Sequence, residues 1–186
     1  MKGLIAWGVA FALLAGAWLI SLVTPQEVAW RDGFAITGVI GEEIADRSVT
    51  VTVTDVTLAD EVTEGSDIFP QSDGAIWVVI GVTAQSLTDE TEGSIKHATL
   101  NIDGNEYRPS DRVRNSMEDA RIFVAAPTRG YLAFEIPEPV AGETAELRLG
   151  SRWDVDNADT YLAFTIDLSD AEQVATVEIE SAVVGY

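Results

Sequence analysis

The chain of 186 residues has no cysteine, one histidine and two methionines. The missing cysteine excludes disulfides, thiolate nucleophiles, cysteine-ligated metals and lipidation on sulfur. A zinc site of the usual His and Cys ligands is excluded by count. Ser-His-Asp chemistry would have to converge on His97, and no Gly-x-Ser-x-Gly elbow supplies a nucleophile. His97 itself reads as a surface residue on the polar face of a strand, beside Thr99 and Asn101.

Cations are scarce too, with 11 Lys and Arg against 31 Asp and Glu. Past residue 25 stand ten of those cations and all the acids, which leaves that part at −21. Binding to nucleic acid or to anionic lipid headgroups needs the opposite sign. The surface reads as solvated and acidic, and the domain must rest on its core alone. A 47% apolar composition makes that feasible.

What is abundant comes first in the chain. Residues 3–23, GLIAWGVAFALLAGAWLISLV, hold 21 residues without a charge, bounded by Lys2 and by Thr24-Pro25. A helix of that length spans about 30 Å, the thickness of a hydrocarbon core. Trp7 and Trp18 sit towards its ends, where indoles favour the membrane interface. The run exceeds the ~7–15 residues of a signal-peptide apolar region, and no small-x-small cleavage site follows it. Residues 1–25 are therefore expected to be an uncleaved transmembrane anchor, with 26–33 a short stalk and 34–186 the extracytoplasmic domain. Lys2 favours a cytoplasmic N-terminus, which makes the chain a single-pass cell-membrane protein. Gly8, Ala12 and Gly16 recur at spacing four, a face on which a partner helix could approach.

Beyond the stalk the pattern is that of strands. Val49, Val51 and Val53 alternate with Thr50, Thr52 and Thr54, the period-two, β-branched signature of a half-buried strand. Val56 and Leu58 continue one residue out of phase, so a bulge is expected near Asp55. Residues 59–74 read as an acidic loop. Residues 75–84, AIWVVIGVTA, are apolar on both alternations and fit a central strand.

Asp103-Gly104 predicts a type I′ hairpin turn between Ile102 and Tyr107. A helical turn is expected at 116–120, and brief strands at 34–40 and 122–124. Further alternating strands are expected at 131–136, 144–149, 161–168 and 175–180, with a Ser169-x-x-Glu172 cap before the last. Eight or nine short strands separated by turns predict an all-β fold, an antiparallel β-sandwich.

In this order, RSVTVTVTDVTLADEV, AIWVVIGVTAQS, ATLNIDGNEYRPS, RGYLAFEIPEP, AELRLGS and AFTIDLSD form a pattern over residues 47–168. It resembles the immunoglobulin-like, telokin-like family of unknown function related to immunoprotective extracellular proteins. Members occur on Gram-positive surface proteins behind an N-terminal membrane segment or lipobox. The chain departs in having Gln85-Ser86 where an asparagine often follows the central strand. The resemblance implies an immunoglobulin-like surface module and supplies no catalytic residues.

Two further clusters carry candidate chemistry. Asp154, Asp156, Asn157 and Asp159 offer hard oxygen ligands at alternating spacing, as Ca²⁺ prefers. The Gly and closing Glu of an EF-hand are absent. Glu42, Glu43 and Asp46 form a weaker acidic turn. Five of the ten cations beyond residue 25 fall within 22 residues: Arg108, Arg112, Arg114, Arg121 and Arg129. Such a segment could meet carboxylates or phosphates of a partner, or pair internally. The leading expectation is a non-catalytic module that binds or supports another surface or membrane protein, a transporter among the possible classes. Its candidate contact points are Gly8, Ala12 and Gly16 in the anchor and Arg108, Arg112 and Arg114 in the domain. The alternative is a Ca²⁺ or small-ligand sensor using 154–159.

Overall fold

A computed structural model describes residues 33–88, 95–118, 120–150 and 160–185, together with Trp7 and Leu14. Those last two are helical and exposed. The rest of the expected anchor, including Gly8, Ala12 and Gly16, lies outside the described residues, as does the stalk up to residue 32. Among the described residues no helix is long and apolar enough to cross a membrane.

The domain is a β-sandwich. One sheet has the order β1(Phe34–Val39), β10(Thr160–Asp167), β9(Thr144–Gly150), β6(His97–Ile102), β7(Asn105–Tyr107). The other runs β11(Glu172–Glu178), β3(Val49–Glu64), β5(Ala75–Ser86), β8(Thr128–Pro137), β12(Val183–Val184). In this second sheet β2(Glu43–Ala45) and β4(Asp67–Pro70) also pair with β3.

Inward-facing rows fill the space between the sheets. Val51, Val53, Val78, Ile80, Val82, Leu132, Phe134 and Ile136 come from one side. Leu100, Ile102, Leu147, Leu149, Leu162, Phe164 and Ile166 come from the other. Each is fully or almost fully buried, as alternate residues of a strand must be when one face meets a core.

The expected bulge is present. The β3–β5 register shifts between Val53 and Asp55, so Thr54 and Asp55 both point outward and Val56 returns to the core. The Asp103-Gly104 turn is also as expected, with φ of 49° and 76°, the left-handed conformation that a type I′ turn demands at both positions.

Several expectations are corrected. The sandwich is not wholly antiparallel, because β1 runs parallel to β10 and β11 parallel to β3. Both are edge strands reached by connections between sheets rather than by tight hairpins, and a parallel neighbour requires such a crossover. Residues 59–74 are not one loop: β3 continues to Glu64, and β4 pairs back on it across a turn at Gly65 (φ 60°). Acids here lie on exposed or half-buried strand positions, which hid the alternation.

Of the helical turn expected at 116–120 the described residues hold one bond, from the Ala120 N–H to the Met117 carbonyl at 3.2 Å, and no helix is built on it. Met117 is fully buried, and its N–H donates to the Tyr131 carbonyl at 2.7 Å, so this stretch satisfies the edge of β8. Residues 122–124 are not a strand either: the Phe123 and Val124 carbonyls accept from Ser86 N and from Gln85 Nε2. The turn before β11 exists as a 3₁₀ turn, Leu168–Asp170, capped by Asp167 rather than Ser169. Truncating Phe134, fully buried at the centre of the core, is expected to cost about 3–5 kcal/mol. Urea unfolding of Phe134→Ala against the parent chain measures it.

Candidate functional site: the outer face of the β5 sheet

The strand β5 is apolar on both sides, so its sheet cannot leave its outer face in water. Trp77, Val79, Ala59, Val62 and Ala133 form a second cluster there, covered by Val113 and Ile179 and flanked by Phe69, Tyr131, Val174 and Val177. The cover is supplied by β4, by the segment after β7 and by the C-terminal residues from β11 onward.

Arg112 locks this cover. Its guanidinium lies 5.3 Å from the Trp77 ring centroid and 5.9 Å from that of Phe69. It donates to both carboxylate oxygens of Glu135 at 3.2 Å and to the Pro70 carbonyl at 3.0 Å. A planar guanidinium can stack and make a bidentate pair at once, which an ammonium cannot. Trp77 beneath is fully buried, and among the described residues its indole N–H has no hydrogen-bond partner.

Glu135 also accepts from Ser72 N at 2.7 Å. Burial alone would raise its carboxyl, but the Ser72 and Arg112 hydrogen bonds outweigh that and hold it below the ordinary carboxylate value. Glu64 plays a similar part for the neighbouring turn, accepting from the backbone N–H groups of Arg114 and Asn115.

Where the cover ends a groove begins. It encloses about 490 Å³ and is lined by Thr54, Asp55, Gly81, Thr83, Arg129, Tyr131, Glu180 and Ser181 among others. Asp55, Gly81 and Tyr131 stand side by side across β3, β5 and β8, with Thr83 beside Arg129 in the next outward row. Three features build it. The bulge brings Thr54 and Asp55 to one face, and Thr54 Oγ1 donates to Asp55 Oδ2 at 2.6 Å. Gly81 leaves the floor open: a Cβ there would overlap Asp55 Oδ2 and stand 2.5 Å from Thr54 Oγ1. The C-terminal strap through Glu180 and Ser181 forms the wall and is tied by Ser181 Oγ to Asn115 Oδ1 at 2.9 Å. A glycine inside a strand and a bulge beside it are devices that let another group approach a sheet.

The five arginines, for which a partner-facing patch and internal pairing were both open, separate. Arg112 is the clamp just described. Arg108 and Arg114 are exposed, and Arg121 lies 5.4 Å from the Phe123 ring centroid. Only Arg129 enters the groove, where no hydrogen bond or ion pair engages its guanidinium among the described residues. Its outward place follows from β8 alternation, but the groove around it depends on the Gly81 and Asp55 pairing and was not legible locally.

Asp154, Asp156 and Asp159 lie outside the described residues. Among the described residues no group of three or more His, Asp or Glu could hold a metal ion. In the Glu42–Asp46 turn, Asp46 Oδ1 accepts from Ser48 N and Val49 N at 2.6 and 2.7 Å, a turn-forming role. His97 begins β6, half-buried and opposite Gly150. Thr99, expected on the exposed face beside it, is 1% exposed.

No family profile matches the chain, and no curated protein matches it in sequence. Solved structures do match in shape. One is a candidate lipoprotein from Staphylococcus aureus, at 9% identity and TM-score 0.50, covering 75% of this chain and 97% of that one. An uncharacterised β-sandwich protein from Clostridium difficile matches at 13% identity and TM-score 0.49, over 73% and 97% of the two chains. A candidate lipoprotein from Bacillus subtilis matches at 16% and 0.47, over 69% and 39%. This chain is similar in shape to the S. aureus protein, and at 9% identity the likeness concerns fold alone.

The Glu135 environment has a pH signature. A carboxyl lowered on folding contributes stability above its unfolded value, about 4.3, and loses it as pH falls through the folded value. Glu135→Gln is expected to be less stable than the parent by on the order of 1 kcal/mol at pH 7, with the gap closing by pH 3. Urea titrations at both pH values measure it.

Proposed function

We propose that this is a non-catalytic, membrane-anchored extracytoplasmic module that binds or supports another protein at the cell surface. The observation that carries the reading is the groove on the β5 sheet. It is held open by Gly81 and the bulge, with the Arg129 guanidinium, unpaired among the described residues, at one side and the Asp55 and Glu180 carboxylates also lining it. A lining with both signs of charge and several hydroxyls suits a polypeptide surface that itself carries both signs. The immunoglobulin-like character implied by the telokin-like resemblance belongs to the same reading.

Tethering is part of the proposal. A protein of similar fold is a candidate lipoprotein, and lipidation of that kind needs a cysteine, which this chain lacks. Residues 3–23 supply the alternative anchor, with the domain outside the cell and a multi-span membrane protein such as a transporter as the partner class. Gly8, Ala12 and Gly16 would face that partner within the bilayer.

Purification of the full chain from native membranes in mild detergent tests this. A stoichiometric second protein is expected with the parent chain and is lost when the groove carries Arg129→Glu. Recovery of this chain alone, or in multiples of itself, overturns the reading.

A further inference from the structure

The edges of the two sheets are protected unequally. A strand edge with free N–H and C=O groups is a template for another strand, and proteins blunt such edges with charge, proline or brevity. Here β2 is three residues long and carries Glu43, and β7 is three residues with Glu106. Asp67 and Pro70 bound β4, Glu172 and Glu178 bound β11, and β12 has two residues. The exception is β1.

It has six residues, FAITGV, and from residue 33 to 41 the chain GFAITGVIG has no charged side chain at all. Six residues make an edge of about 20 Å. Among the described residues β1 pairs on one side only, with β10. Its large apolar side chains are in solvent: Phe34 is 73% exposed, Val39 57%, and Ile40 just beyond it 42%. Ala35 and Thr37 are exposed as well. An uncharged, β-branched, solvent-facing edge in so acidic a chain is what an edge that pairs looks like.

We infer that the free edge of β1 pairs with β1 of a second copy of this chain, joining two five-stranded sheets into one. Charge argues for a copy as the occupant. The part beyond residue 25 carries −21, so two copies repel wherever acids meet, and each other sheet edge of three or more residues bears at least one acid. At β1 the like charges are absent and the apolar groups match themselves.

A two-fold axis perpendicular to the sheet makes the pairing antiparallel and keeps the inward faces of both copies on one side. Thr37, near the middle of the strand, then lies close to its own copy, within the reach of cross-strand neighbours. So short a ladder is weak between free molecules and gains strongly when both copies are held in one membrane. The proposal is independent of the groove and of any partner there.

The cysteine-free sequence makes the test clean, because an engineered thiol is the only one present. Thr37→Cys and, as a control on another exposed edge, Thr176→Cys are made in the full chain and treated in membranes with a short bismaleimide. The β1 position is expected to give a product of twice the chain mass at least about tenfold more than the control. Adding Val39→Lys is expected to bring it to the control level while intrinsic tryptophan fluorescence stays unchanged.

Equal yields at the two positions overturn the proposal. So does a product of another mass, which would assign the edge to a different protein. A thiol at 37 that no maleimide reaches, with no dimer formed, overturns it in favour of cover by the chain's own preceding residues.

Discussion

The structure depends on the need to bury both faces of one strand. β5 reads Ile-Trp-Val-Val-Ile across residues 76–80, and each of these five is at most 4% exposed. A sandwich shelters only one face of each sheet. The second face of β5 therefore has to be roofed by other chain, and much of what is irregular in the fold serves that roof. β4 folds back from β3, the segment after β7 lies along β8, and the C-terminal residues cross from β3 to β8 to place Ile179 over the sheet. Arg112 ties β4 and the segment after β7 to the sheet, touching the Trp77 and Phe69 rings, Glu135 and the Pro70 carbonyl.

The groove is the remainder of the same constraint. The roof stops where the outward row of β5 changes from Trp77 and Val79 to Gly81 and Thr83, and there the sheet no longer needs apolar cover. The sheet surface passes from hydrophobic to polar within one strand, and the bulge in β3 aligns Asp55 with that transition. One sequence change thus places both the packed cluster and the open site.

Local signals were legible and distant ones were not. The Val-Thr alternation with its phase slip led to the bulge at Asp55, Asp103-Gly104 to a left-handed turn, and the doubly apolar 75–84 run to a central strand, because each depends on neighbours within a few residues. The parallel placement of β1 and β11, the short β12 and the extended path of 116–118 depend on pairings far apart along the chain and leave no local periodicity. Arg112 shows the limit most sharply. Its sequence neighbours left a partner-facing patch and internal pairing both open, and only its contacts at 69, 70, 77 and 135 decide for pairing. Arg129, from the same cluster, lines the groove because its β8 position faces it.

The parallel partnership of β1 has a consequence for how the domain is made. Phe34 pairs with Thr160, and the outer edge of β3 between Thr57 and Thr63 receives its neighbour from Glu172 onward. The first strand of the domain therefore waits for nearly the last before its ladder can form. Sheets built on such long-range pairings form slowly. A chain emerging from N- to C-terminus therefore keeps β1 and the outer edge of β3 at residues 57–63 unpaired until its final third arrives.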